Sequence, residues 1–152
     1  MEKTANEIQK ERIKEIEENA SQLLEKCAVV TLTSVNEKGY PRTCAITKIR
    51  NNGFFEIYFM TSKRSHLGGK ATHFENNTKA SVCYNLGGDS VTLIGDVEIV
   101  RDIDDKIKFD KDCDRKFFKK GILDPKCYLL KFRTNEATFW IDGKFRTCRY
   151  RL

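Results

Sequence analysis

The chain has 152 residues, 39% of them hydrophobic and 33% charged, with a formal net charge of +6. That length suits one globular domain with a useful core, the charged content argues for a soluble surface, and no run of about 18 apolar residues offers a membrane span or a secretory core. The excess of Lys and Arg would favour a nucleic acid, a membrane surface or an anionic cofactor, but acids interrupt it, as in RDIDDKIKFDKDCDRKFFKK from Arg101, which reads as a solvated face.

The first predicted element is a helix from about Thr4 to Lys26, opened by Thr4 and Glu7 at capping-box spacing. Its apolar stripe of Ile13, Ile16, Ala20, Leu23, Leu24 and Cys27 suits a sheet or a partner subunit. AVVTLTS from Ala28 reads as a strand, and NEKG from Asn36 as the turn of a hairpin. The returning strand, Tyr40 to Arg50, places Arg42, Cys44, Ile46 and Lys48 on one face and Thr43, Ala45, Thr47 and Ile49 on the other. The two cations are read either as a solvent-facing stripe or as a positive wall beside an anion.

Asn51, Asn52 and Gly53 form the next turn, so Phe54 to Met60 is expected to pair antiparallel with the preceding strand. The stretch FFEIYFMTSKRSHLGGKATHF, Phe54 to Phe74, organises the chain: a strand runs through Thr61 and Ser62 into a basic turn, and Ser65 is placed to cap a short helix. Free N–H groups and the helix dipole, with Lys63, Arg64 and Lys70 nearby, make an anion site; the plainer reading is a capped surface helix. Leu67, Ala71 and Phe74 are expected inward, and His66, Lys70 and His73 outward.

KASVCYN from Lys79, the turn LGGD and a long alternating strand from Ser90 to Val100 follow. Ile103, Ile107, Cys113 and Phe117 read as a second amphipathic helix, broken by Gly121 and ended before Asp124-Pro125. CYLLKF from Cys127 and ATFWIDG from Ala137 are two closing strands, and Asp142-Gly143 turns into a basic tail, KFRTCRYRL. The six cysteines, Cys27, Cys44, Cys83, Cys113, Cys127 and Cys148, stand singly and read as reduced, mostly buried thiols of a cytoplasmic protein. His66 and His73 lack the further ligands a zinc site needs, so no metal is expected.

These elements make a mainly β fold with peripheral helices, an antiparallel barrel. The ordered succession AVVTLTS, GYP, IYFMTSKRS, NNTKASVCY, SVTLIGDVEIV, DPKCYLLKF and EATFWIDGKF resembles the FMN-binding split-barrel family, which includes pyridoxamine 5'-phosphate oxidases and, closer in pattern, bacterial general stress proteins. The resemblance implies a split β-barrel and a homodimer with FMN at the subunit interface. It implies cofactor contacts at Ile46, Thr47, Lys48, Thr61, Ser62, Ser65, His66, Lys70, Ser90 and Trp140, with the phosphate at the turn after the third strand.

The chain also departs from the oxidases. His66 and Leu67 replace the arginine and lysine that follow the serine at Ser65, Cys44 stands where a flavin-contacting arginine is found, and Ser90 stands for a glutamine. Arg146, Thr147, Cys148 and Arg149 replace the ending that holds the vitamin phosphate, which argues against pyridoxamine phosphate oxidation. Trp140 falls on the family's tryptophan, although a lone Trp in a strand otherwise reads as core. The function implied is an FMN-dependent redox protein of the stress-protein group. Within the same fold a deazaflavin or haem is the other cofactor; a nucleic-acid-binding barrel and a cofactor-free interaction protein are the other readings.

Overall fold

The structure, a computed structural model, describes residues 2–62 and 69–151. Helix α1 spans Ala5–Glu25. The Thr4 hydroxyl accepts from the Glu7 N–H and the Glu7 carboxylate accepts from the Thr4 N–H, so the capping box forms as expected. The stripe turns inward at its C-terminal half, where Ala20, Leu23, Leu24 and Cys27 are buried against the sheet. Two tyrosines pin the helix there: Tyr84 donates to the Ala20 carbonyl at 2.8 Å and Tyr150 to the Glu17 carboxylate at 2.6 Å. Among the described residues, no helix is long and apolar enough to cross a membrane.

The strands are β1 (Val29–Val35), β2 (Pro41–Thr47), β3 (Arg50–Asn52), β4 (Glu56–Ser62), β5 (Lys79–Leu86), β6 (Asp89–Val100), β7 (Cys127–Ile141) and β8 (Lys144–Arg149). They form one antiparallel sheet in the order β2-β1-β5-β6-β7-β4-β3, with β8 also on β7. The two ends of that order, β2 and β3, are consecutive in the chain. Lys48 donates its N–H to the Ala28 carbonyl beside β1, and Ile49 donates to Tyr58 on β4, so this short link stitches the sheet's opposite edges and curls it into the expected split barrel. The strand expected from Tyr40 to Arg50 is therefore two strands, because the chain must leave β1 to reach β4.

Two further expectations change. β7 is one strand of 15 residues rather than two, since the polar interruption is accommodated: the Thr134 hydroxyl donates to the Phe54 carbonyl at 2.6 Å and its N–H to Phe55. Its first half pairs with β4, its second half with β8, and β6 runs along the other side. The supposed basic tail is β8, delivered by a turn in which Asp142 and Gly143 both adopt positive φ, as a type I′ hairpin needs. A bulge between Ile94 and Gly95 lets β6 follow the long strand. Gly95 is obligatory there, because a Cβ would sit 1.8 Å from the Arg133 carbonyl oxygen.

The second amphipathic helix is reduced to α3, Ile103–Ile107, followed by 3-10 turns at Asp110–Asp112 and Gly121–Leu123. Ile103, Ile107 and Phe117 of the expected stripe are exposed, while Phe109, Phe118 and Ile122 are buried. Aspartates explain the failure. Asp114 accepts from the Lys116 N–H and Asp124 from that of Lys120, so side chains take backbone donors that a continuous helix would use.

Candidate functional site

Ser90 on β6 is the register partner of Trp140 on β7, and Trp140 is the partner of Phe145 on β8. Because side chains alternate along a strand, burial of Val91, Phe139 and Ile141 puts all three on the outer face, and Trp140 is 46% exposed. The indole is not core. Thr47 and Val29, partners on β2 and β1, end the same side of the sheet, and Asn85 joins the row as the partner of Ser90. The next outer row is small and hydroxyl-rich: Thr31 donates to the Cys83 carbonyl, and the Thr138 and Thr147 hydroxyls are 3.1 Å apart. The result is an outer face with two exposed aromatic rings at one end.

Val29, Asn85 and Phe145 were missed by the sequence reading. Phe145 was legible, since a two-residue turn at Asp142-Gly143 sets it opposite Trp140. Ile46 points the other way and packs against the core. Lys48 is half-buried in the link between the sheet edges, and its ammonium donates to the Asn51 side-chain oxygen at 3.1 Å. Thr61 and Ser62 end β4, half-buried, opposite Tyr128 and Cys127. Ser65 and His66, with Lys63 and Arg64, lie outside the described residues.

The helix beyond them, α2, spans Lys70–Asn76. Its N-cap is Gly69, which makes no side-chain cap, while the expected cap, Ser65, lies outside the described residues. The expected outward placement of Lys70 and His73 is corrected: both are buried, with Ala71 and Phe74, because α2 packs against β1, β4 and β6 at once. Lys70 donates to the hydroxyl of Ser34, at 2.7 Å, and to the Arg42 carbonyl. The Ser34 hydroxyl also shares a hydrogen bond of 2.7 Å with His73 Nδ1, in which either atom can be the donor.

Burial, and then the charges of Lys70 and Arg42, hold His73 below the ordinary imidazole value. Burial likewise lowers Lys70, with Cys44 acting against it and Arg42 with it. His73 Nε2 has no hydrogen-bond partner among the described residues. Ser34 is fully buried, so this Ser-His-Lys grouping fixes α2 on the barrel rather than presenting a nucleophile.

The expected contacts therefore fall in three places within one chain, since Thr61 and Ser62 pair at the start of β7 and Trp140 stands near its end. Thr47, Ser90 and Trp140 share one end of the outer face, whereas the Lys70 ammonium is held at the Ser34–Arg42 pair, five positions along β1 from Val29 and so roughly 17 Å away. Three clefts of about 390, 300 and 240 Å³ line the far half of β6 and β7 and the α3 region, and none is lined by a residue of the expected cofactor site.

Similarity to known proteins agrees with the architecture. Among solved structures, the chain is similar to a protein of Clostridium acetobutylicum related to general stress protein 26, with 19% identity and a TM-score of 0.75, covering 89% of this chain and 94% of that one. General stress protein 26 of Bacillus anthracis gives 21% identity and a TM-score of 0.68, covering 89% and 98%. A heme binding protein of Mycobacterium smegmatis gives 14% identity and a TM-score of 0.68, covering 88% of this chain and 57% of that chain. At these identities the likeness is one of fold. No curated protein matches the sequence. Residues 11–149 match the family model described as pyridoxamine 5'-phosphate oxidase like, and so the chain belongs to the pyridoxamine 5'-phosphate oxidase-like family of split barrels.

Proposed function

We propose that the protein is an FMN-binding redox protein of the general stress type, working as a homodimer with the flavin between two copies of the outer sheet face. The observation that carries this reading is Trp140, a large aromatic side chain left 46% exposed beside the small Ser90. A flat heteroaromatic ring needs an apolar face to stack on and hydrogen-bonding groups at its edge; Trp140 and Phe145 offer the first, and Ser90, Asn85 and Thr47 the second. Thr61, Ser62 and Lys48 are the hydroxyl and ammonium groups available to a phosphate. When bound, the flavin supplies the electron-transfer chemistry, and the protein's part is to hold it and exclude water.

The dimer follows from the same surface. One copy leaves Val29, Trp140, Phe145 and Ile94 exposed on the outer face, and a second copy would cover them and turn an open row into an enclosed site. Haem would ask for an axial histidine; His73 is buried with Nδ1 engaged by Ser34 and would have to leave the barrel to ligate iron, and the other candidate, His66, lies outside the described residues. Titration of the purified protein with FMN tests the reading. Quenched flavin fluorescence, a shifted visible band and a dimer by sedimentation are expected; unchanged fluorescence at micromolar protein would leave a cofactor-free interaction protein.

A further inference from the structure

The connection between β6 and β7, residues 101–126, packs on β4 and β7 through its own apolar cluster, in which Phe109, Phe118 and Ile122 are buried with Leu129, and Tyr58 and Met60 lie against them. Its solvent side is apolar too. Ile103, Ile107 and Leu123 are exposed, and Phe117, at 79%, is the most exposed large hydrophobic side chain among the described residues. Phe117 and Phe118 are consecutive, one outward and one inward, so the outer ring does not fill the cluster beneath it. The Gly121–Leu123 turn packs against α3, and Leu123 shares with Lys106 the wall of the cleft of about 240 Å³, which sets Leu123 beside the helix that carries Ile103 and Ile107.

The charge around this apolar surface is one-sided. RKFFKK, Arg115 to Lys120, holds four cations and no acid. Arg115 pairs with Asp110 at 2.9 Å, whereas the exposed Lys111, Lys116, Lys119 and Lys120 make no ion pair among the described residues. The acids that interrupt the basic run in the sequence are engaged nearby. Asp102 accepts the N–H groups of Asp104 and Asp105, Asp105 pairs with Lys108, and Asp112 accepts from Arg50. Asp114 accepts the Lys116 N–H, and Asp124 those of Lys120 and Lys126.

We propose that this connection is a docking surface for a bilayer rich in anionic lipid, with Phe117, Ile107 and Leu123 entering the headgroup region and Lys116, Lys119 and Lys120 meeting the lipid phosphates. Exposed apolar side chains beside unpaired lysines are the composition that an anionic membrane surface binds, since the apolar groups leave water and the ammonium groups stay at headgroup level on their long stems. Isoleucine and leucine have no ring on which a base could stack, which separates this surface from a nucleic-acid site. Docking here leaves the Trp140 row free, because that row lies at the opposite end of the β6–β7 pairing from Val100 and Leu129, where the connection begins and ends.

The test is co-sedimentation of the full chain with vesicles of phosphatidylcholine alone and of phosphatidylcholine with about 30% phosphatidylglycerol, at roughly 0.1 M salt. Binding to the mixed vesicles only is expected. Phe117→Ser should weaken it at least about fivefold, and Lys119→Gln combined with Lys120→Gln about tenfold or more, with Tm unchanged because all three side chains are exposed. A control pair, Lys10→Gln with Lys14→Gln on exposed positions of α1, removes the same charge and should keep parental binding within about twofold. Absence of binding to the mixed vesicles, equal binding to the neutral ones, an undiminished Phe117→Ser protein, or equal losses in the two lysine pairs would overturn the proposal. Retention by single-stranded RNA with no binding to vesicles would overturn it in favour of a nucleic-acid surface.

Discussion

Ser90 and Trp140 stand directly opposite each other on neighbouring antiparallel strands, and the smaller of the two leaves the indole face of the larger uncovered. Trp140→Ala should lower FMN affinity at least roughly tenfold, since the lost stacking face is worth about 1.5 kcal/mol. Stability should change by no more than about 1 kcal/mol, because the ring contributes cross-strand contact on an exposed face rather than core. Flavin fluorescence titration with thermal melting separates the two effects; unchanged affinity would mean that the tryptophan only serves contacts between subunits.

The phosphate reading rests on groups at the end of β4 and in the edge link. Lys48→Ala and Ser62→Asp should each weaken FMN about tenfold or more while leaving riboflavin, which lacks the phosphate, nearly unaffected. Lys70→Met should behave differently: its ammonium is committed to Ser34 and the Arg42 carbonyl, so loss of Tm is expected to outweigh any FMN-selective loss. Comparative titration with FMN and riboflavin decides between the assignments. Equal losses for the two ligands would remove Lys48 and Ser62 from the phosphate site.

His73 gives the fold a pH dependence with a definite sign. Its folded value lies below the ordinary 6.5, through burial and the charges of Lys70 and Arg42, with Glu37 opposing. Below about pH 6.5 the unfolded chain binds a proton that the folded chain resists, so stability is complete above that value and falls as pH drops toward 5. Urea midpoints measured from pH 7.5 to 5 should decline in the parent and decline less steeply in His73→Gln. Parallel curves would show that the ring is protonated in place.

Gly95 has no room for a side chain. A methyl group there meets the Arg133 carbonyl oxygen at 1.8 Å, a backbone atom that can move only if β6 and β7 part. Gly95→Ala should therefore cost at least about 2 kcal/mol, against the few tenths usual for a surface strand. Denaturant unfolding gives the number, and a neutral result would mean that the bulge can relocate.

Much of this architecture was legible because local signals agreed with the global pairing. The capping box at Thr4, the Asp142-Gly143 turn and the alternation of Val91, Leu93 and Val97 each place their element correctly. The misread parts share a cause: residues whose polarity is answered by distant partners. Thr134 looks like a strand break until the Phe54 carbonyl is beside it, and Lys70 and His73 look like a solvent face until Ser34 closes over them. Between Ile103 and Gly121 the opposite occurred, as a helical period was overruled by aspartates that bind their own neighbourhood. In the candidate site, Ser90 and Trp140 were singled out one by one, whereas the row they share with Asn85 and Phe145 depends on register, which no single residue carries.

The length of β7 has a consequence for biosynthesis. β4 and β6 each have one early neighbour, β3 and β5, and both wait for the same late strand to cover their other edge. About 65 residues separate Ser62 from Cys127, so at translation rates of 5–20 residues per second the β4 edge is bare for roughly 3 to 13 s before its partner is made. An open edge for that long invites pairing between nascent chains on neighbouring ribosomes. Chains truncated just before Cys127 should accordingly be found in the insoluble fraction rather than as folded fragments.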